Sequence, residues 1–457
     1  MSLDRRASRE MERPIENRSD LIDYFRAGEK PRAQWRVGIE HEKFGLQTGR
    51  WAPVPYDGER GIEALLRRFA ATEGWEPILE DGRLIGLDGA EGGITLEPGA
   101  QVELNGLPVT SMREICGQFH RHLAELREIS EPLGIVWVGL GVHPLHPVKD
   151  LPRVPRERYR IMRAYLPARG DLASDMMHSS ASVQVSFDFS DEADLVDKIR
   201  TGIAVTPLVG AMFANASISE GRPSGFVSRR LEIWRHTDPD RTGLIPFVFD
   251  EGFGYERYLE WALDAPMFFI LRDGRYRAME GMTFQRFLDG GLEGERATLA
   301  DFDRHLTTLF PEARLKRILE MRCADAVPPE LLCTIPALWK GLLYDDDARA
   351  GARALGTRWT AEEREGLWAD VARRGLAARA PDGPLLPRAR ELAVLARNGL
   401  RRLAREHPDI GDPDEEGFLD PLDELLERGK SPGEIVLERW AGEWNGSLDR
   451  LIEYARY

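Results

Sequence analysis

Alternation of apolar and polar positions is the first regularity along the chain. Residues 35–45 read Trp-Arg-Val-Gly-Ile-Glu-His-Glu-Lys-Phe-Gly. Strand side chains alternate faces, so Gly38, Glu40 and Glu42 share one face while Val37 and Ile39 turn towards a core. The pattern returns in Ile94-Thr-Leu-Glu-Pro-Gly-Ala-Gln-Val-Glu-Leu104, where Pro98-Gly99 interrupts it as a turn or bulge would. Gln101 and Glu103 then share a face, and Glu97 stands just before the break. A third strand is predicted over Ser180–Phe189, with Ser182, Gln184, Ser186 and Asp188 opposite Val183, Val185, Phe187 and Phe189. The fourth is Arg317–Arg322, with Glu320 and Arg322 together. Further strands are expected over Ile135–Val142 and Pro266–Arg272, and helices over Ser19–Arg26, Met112–Ser130 and Glu192–Arg200. The charge-free run Thr201–Ile218 reads as a buried helix. From about residue 346 the chain reads as nearly all helix. Capping boxes start helices at Thr360-Ala-Glu-Glu363 and Ser431-Pro-Gly-Glu434, Gly429 closes the helix between them, and a loop covers Glu406–Gly417. The expected organisation is a charged lead-in over 1–34, a catalytic core over 35–345 and a helical region over 346–457 packed on the core.

Any one of these strands is an ordinary half-buried strand with a wet acidic face. Together they read as one sheet whose polar face gathers carboxylates and amides. Glu40 and Glu42 stand roughly 6.6 Å apart along their strand. Two such carboxylates repel, and burying them unpaired is costly, so they call for a cation. Hard oxygen ligands suit Mg²⁺, with Mn²⁺ also possible, and Mg²⁺ bound by carboxylates commonly shares its shell with substrate phosphates. Arg322 beside Glu320 adds fixed donors for a transferring phosphoryl group. No Gly-x-x-x-x-Gly-Lys-Ser/Thr and no Gly-x-Gly-x-x-Gly after a strand occurs. A nucleotide here would be held by metals and arginines. His41 points away from Glu40 and Glu42 and is expected to pack rather than to ligate. No histidine has a nearby serine or cysteine arranged as a nucleophile, so a hydrolytic triad lacks support.

Composition narrows the partners. A net charge of −15 argues against nucleic acid, whose phosphates need a basic face. The run Thr201–Ile218 contains Pro207, two glycines and Asn215 and falls short of a spanning helix, so no membrane partner is expected. The first twenty residues are charged and lack an apolar h-region, which excludes a secretory signal and leads to the expectation of a soluble, cytoplasmic protein. Cys116, Cys323 and Cys333 lack Cys-x-x-Cys spacing, and by themselves read as free buried thiols.

Ordered blocks along the chain resemble the plant and proteobacterial glutamate–cysteine ligase family, within the glutamine-synthetase-like carboxylate–amine ligases. They include Val37-Gly-Ile-Glu-His-Glu-Lys-Phe-Gly45, Leu96-Glu-Pro-Gly99, Gly225-Phe-Val-Ser228, Asp240-Arg-Thr-Gly243, Pro246-Phe-Val-Phe-Asp250, Leu319-Glu-Met-Arg322 and Gly341-Leu-Leu-Tyr344. The resemblance implies an α+β fold with a mainly antiparallel, funnel-like sheet ringed by helices and a helical C-terminal region. It implies ATP-dependent ligation of glutamate to cysteine through a γ-glutamyl phosphate, the first step of glutathione synthesis, by a monomer or homodimer. It implies that Glu40, Glu42, Glu97, Glu103 and Glu320, with Gln184 facing them, hold Mg²⁺, and that Arg322 stabilises the transferring phosphoryl group. Arg230 and Arg158 match arginines that grip the α-carboxylate of glutamate, and Trp234 would wall the pocket. Cys116 and Cys333 align with a redox-sensitive cysteine pair of plant relatives, whereas Glu280 replaces a cysteine of their second pair. Ser179 and Ser186 depart from an arginine and an asparagine usual in the family, which leaves the acceptor amine open. Other readings are a ligase joining glutamate to a different amine, a metal-dependent phosphohydrolase or guanidino-type kinase, and a Mg²⁺-nucleotide sensor.

Overall fold

The computed structural model describes residues 11–90 and 92–457; residues 1–10 of the charged lead-in, with Glu91, lie outside them. Nine strands form one sheet: β1 (Val37–Gln47), β2 (Trp75–Glu80), β3 (Arg83–Gly89), β4 (Gly92–Leu96), β5 (Val102–Gly106), β6 (Ile135–Val138), β7 (Ser182–Phe187), β8 (Ala313–Leu315) and β9 (Leu319–Asp325). Their order is β8-β9-β7-β1-β5-β4-β3-β2, with β6 paired to the far end of β1, and every pairing is antiparallel. This is the α+β, mainly antiparallel architecture that the family resemblance implies.

Register decides what the sheet presents. Glu40 lies opposite Gln184 on β7 and Asn105 on β5, and Glu42 lies opposite Glu103. Ser186 faces Glu320, Arg314 faces Glu320 from the other side, and Thr95 faces Glu103. Directly opposed residues of antiparallel strands share a face. Val37, Ile39, Val183, Val185, Leu319 and Met321 are therefore turned to the other side and fully or almost fully buried. Helices Met112–Ser130, Glu192–Met212 and Thr334–Leu343 pack there. A Cβ at position 202 would come within 2.7 Å of the Met321 thioether, so Gly202 lets the long helix sit down on β9.

Several elements differ from expectation. The third strand is shorter, Ser182–Phe187, because Asp188 leaves the ladder to receive the Arg36 N–H at 2.8 Å and the Lys30 ammonium at 2.6 Å. The expected helix at Glu192 and the apolar run after it are one helix, Glu192–Met212, which passes through Pro207. Residues 266–272 contribute only Phe269–Arg272, in a separate hairpin with Arg275–Ala278. Both expected capping boxes form, and Gly429 takes a left-handed φ of 70° at the end of helix Asp420–Arg428.

The reading of the cysteines as free thiols is corrected. Cys116, on helix Met112–Ser130, is disulfide-bonded to Cys333 at the start of helix Thr334–Leu343, with Cα atoms 5.6 Å apart. The bond joins, across 217 residues of sequence, the two cysteines that the family resemblance aligned as a pair. Cys323 stays a buried free thiol. Among the described residues no helix is long and apolar enough to cross a membrane.

Candidate active site

The polar face of the sheet floors a cavity of about 270 Å³. Glu40, Glu42, Glu97, Glu103, Gln184, Arg158, Arg230, Trp234 and Arg322 all line it. Glu320 lies beneath, fully buried, in contact with two of the lining arginines. Every residue singled out from the sequence as catalytic, metal-ligating or substrate-binding thus belongs to one neighbourhood built from six separate chain segments.

Two hairpins set this geometry. In the first, Pro98-Gly99 is the turn between β4 and β5: the Glu97 N–H donates to the Gln101 carbonyl at 3.0 Å and the Ala100 N–H to the Glu97 carbonyl at 2.9 Å. A Cβ at Gly99 would stand 2.2 Å from the His178 carbonyl oxygen, so only glycine lets this turn press against helix Ala173–Ser179. The turn carries Glu97 into the cavity. Gln101 is not a lining residue; its amide donates to the Ser180 carbonyl at 2.8 Å. In the second hairpin, β8–β9, the guanidinium of Arg314 grips both oxygens of Glu320, at 2.5 and 3.0 Å.

The carboxylates divide by what answers their charge. Glu42 accepts from the Ser182 N–H at 2.6 Å and hydroxyl at 3.1 Å and from the Gln184 amide at 3.0 Å. Glu103 accepts from the Thr95 hydroxyl, which receives the Asn105 amide at 2.7 Å. Burial, then the charges of Glu320 and Glu103, push Glu40 up to about 8. Burial, then Glu103 and Glu42, push Glu97 up to about 8, and burial followed by Glu42 raises Glu103 to about 7. Glu320 goes the other way: although burial pushes it up, Arg314, Lys316 and Arg322 hold its carboxyl well below the usual range. Glu40, Glu97 and Glu103 are thus short of positive charge, and Glu320 is supplied with it. Among the described residues no three His, Cys, Asp or Glu side chains form a ready-made metal group, and the carboxylates converge on the cavity without a shared centre.

The opposite wall is cationic and aromatic. Arg322 donates to Gln184 Oε1 and lies 3.4 Å from Glu320 Oε2, with its guanidinium 5.8 Å from the Trp234 ring. Arg230 is 2% exposed; its Nη2 donates to the Arg322 carbonyl at 2.9 Å, and its Nη1 stands 3.6 Å from Asp325 with no hydrogen bond of its own. Arg158 Nε and the Trp234 indole N–H are also buried without a partner among the described residues. Buried donors are normally satisfied, so three without partners on one wall suit an anionic ligand. His41 does lie behind the sheet, with Nε2 3.0 Å from the Tyr457 hydroxyl. Ser179 turns its hydroxyl onto the Asp175 carbonyl at 2.7 Å and does not line the cavity.

Sequence reasoning missed Arg314, Lys316, Thr95 and Asn105. Their signal lay in hairpin register: a turn at Pro98-Gly99 opposes Thr95 to Glu103, and a turn at 316–318 opposes Arg314 to Glu320. The reading of the fourth strand began at Arg317 and left its partner out.

The model of glutamate-cysteine ligase family 2 matches residues 36–454. A chloroplastic glutamate–cysteine ligase from Brassica juncea is 43% identical over 443 residues, covering 96% of this chain and 84% of the relative. Glutamate–cysteine ligase B of Oryza sativa subsp. japonica, also chloroplastic, is 41% identical over 451 residues, covering 98% and 88%. The crystal structure of a glutamate–cysteine ligase from Francisella tularensis in complex with AMP superposes with a TM-score of 0.54 at 12% identity, covering 92% of this chain and 87% of that one, a likeness of fold. These relatives correct the expected cytoplasmic location, since both plant enzymes are chloroplastic. Transit peptides are polar and arginine-rich, so a missing apolar h-region does not assign the cytoplasm.

Proposed function

The chain belongs to glutamate-cysteine ligase family 2, and on that premise we propose that it joins the γ-carboxylate of glutamate to the α-amine of cysteine at the expense of ATP. The products are γ-glutamylcysteine, ADP and phosphate, the first step towards glutathione. The observation that carries this reading is one buried cavity with carboxylates short of positive charge on its floor and unpartnered cationic and indole donors on its wall.

Glutamate enters with two carboxylates, and the arginine wall suits the α-carboxylate. Arg230 and Arg158 offer free donors to it, and Trp234 flanks the aliphatic chain. Glu40, Glu42, Glu97 and Glu103 suit hard divalent cations, Mg²⁺ foremost. Glu320, already bonded through both oxygens to Arg314, has only its remaining lone pairs to give. Such cations, when bound, offset the repulsion between the anionic nucleophile and the triphosphate. A γ-carboxylate oxygen bonds to the γ-phosphorus as the bond to ADP breaks. The neutral α-amine of cysteine then bonds to the acyl carbon, the bond to phosphate breaks, and one amine proton is lost to solvent. Arg322 faces the phosphoryl group with donors that cost no reorganisation, because Gln184 and Glu320 already fix its guanidinium. Met162, Met176, Met177 and Phe310 line the cavity and keep water from the acyl phosphate.

The test is release of ADP from ATP, Mg²⁺ and glutamate against a panel of amino acids. Release that requires glutamate and is fastest with cysteine is the expected result. Faster release with another amine would move the acceptor. ATP hydrolysis that needs neither substrate would replace the ligase with a phosphohydrolase.

A further inference from the structure

A second cleft, of about 820 Å³, shares no residue with the catalytic cavity. Arg200, Arg353 and Arg364 line it against one aspartate, Asp250, together with Phe249 and Trp359. Arg353 pairs with Asp197, but among the described residues the other two guanidiniums form no ion pair. Arg200 donates to the backbone carbonyls of Val248 at 2.6 Å and Asp250 at 2.8 Å. Arg364 is 3% exposed, donates to the carbonyls of Ala204, Gly356 and Trp359, and leaves Nε without a partner among the described residues. Its guanidinium stacks 4.5 Å from the centroid of Phe249. Burial alone, with no acid beside it, pulls Arg364 down to about 10.

A buried cation answered only by carbonyl dipoles and a ring face is costly to keep. Acids outnumber bases by 77 to 62 in this chain, so an acid was available to neutralise the wall, and Arg349, nearby on the same helix as Arg353, is paired three times over. Arginine forks grip phosphate or carboxylate through paired donors. The aromatic side chains beside them offer apolar surface to a flat group, and the volume lies in the range of small-molecule sites.

We propose that this cleft is a second ligand site, taking an organic anion that carries a phosphate or carboxylate on a planar apolar body, with Arg200 and Arg364 as its anion partners. The proposal does not rest on the ligase reading. ADP is the probe, titrated calorimetrically into the full chain in excess EDTA, which removes metal-dependent binding in the catalytic cavity. Saturable binding is expected to persist in EDTA. R200Q should weaken it at least tenfold while leaving ligase turnover unchanged, and R364K, which keeps the charge, should retain more affinity than R364Q. Inorganic phosphate should bind at least tenfold more weakly than ADP; equal affinity would overturn the planar-body assignment. No binding of ADP in EDTA, or binding that R200Q leaves unchanged, would overturn the site itself.

Discussion

Glu103 and Glu320 stand on one face of one sheet and meet opposite electrostatic fates. Glu320 is bracketed by Arg314 and Arg322, whereas Glu103 has a threonine hydroxyl and other carboxylates for neighbours. That contrast makes Glu103 the better probe of cation binding. Glu103→Gln keeps the shape and the Thr95 contact but removes the charge. Turnover should fall by about 10² or more, the scale on which losing one electrostatic stabiliser acts. Near-normal turnover at low Mg²⁺ would remove Glu103 from the ligand set. At Arg230 the free Nη1 and the neighbouring Trp234 point to substrate binding rather than phosphoryl transfer. Arg230→Lys loses the planar fork, so the glutamate KM should rise by roughly 10-fold or more, given ~1.5–3 kcal/mol for a charged hydrogen bond, with kcat changed far less. An unchanged KM would place the α-carboxylate elsewhere.

Among elements, hairpins and helix contacts carry the specificity. The alternation along Ile94–Leu104 fixed which residues face the cavity, but the turn that folds Thr95 onto Glu103 had to be drawn before the pair could be seen. The β8–β9 hairpin hid Arg314 in the same way. The Cys116–Cys333 bond belongs to this scale too, since it ties helix Met112–Ser130 to helix Thr334–Leu343 behind the sheet. Closing so long a loop constrains the unfolded chain, and a stabilisation of ~2–4 kcal/mol is typical. The Cys116→Ser variant should therefore unfold at lower denaturant than the oxidised wild type and match the reduced wild type. Gel mobility and activity that are the same with and without reductant would dismiss any redox role for the pair.

At the scale of the whole molecule, the carboxylate floor couples stability to pH, and the proposed Mg²⁺ would tie that coupling to metal. Glu40, Glu97 and Glu103 are raised from 4.5 to about 8, 8 and 7. Their protonated forms are favoured on folding, so their contribution is fully present below about pH 4.5 and is lost as pH rises to about 8. His41, His122 and His143 are pulled down by burial and work in the opposite direction below pH 6.5. A metal-dependent increment would separate the two, because the proposed cations would compete with protons at the floor and not at these histidines. The rise in Tm on adding Mg²⁺ should be larger at pH 8 than at pH 6, and smaller in Glu103→Gln at both. An increment independent of pH would mean that the cations bind elsewhere.

The sequence by itself determined the strands that carry the polar face, the facing of their side chains and the chemistry on that face, because a period of two is local and needs no knowledge of neighbours; it did not mark β2, β3 or β8. Glu40, Glu42, Gln184 and Arg322 were legible for that reason. Tertiary structure decided the rest. Strand order and hairpin register brought Arg314 to Glu320, the fold set Cys116 within bonding reach of Cys333, and a tight turn leaning on His178 delivered Glu97 into the cavity. The charge state of each carboxylate was decided there as well, since it follows from burial and from neighbours that are remote along the chain. Arg200 and Arg364 are only two of many arginines until the fold sets both at one cleft whose single lining aspartate, Asp250, pairs with neither among the described residues.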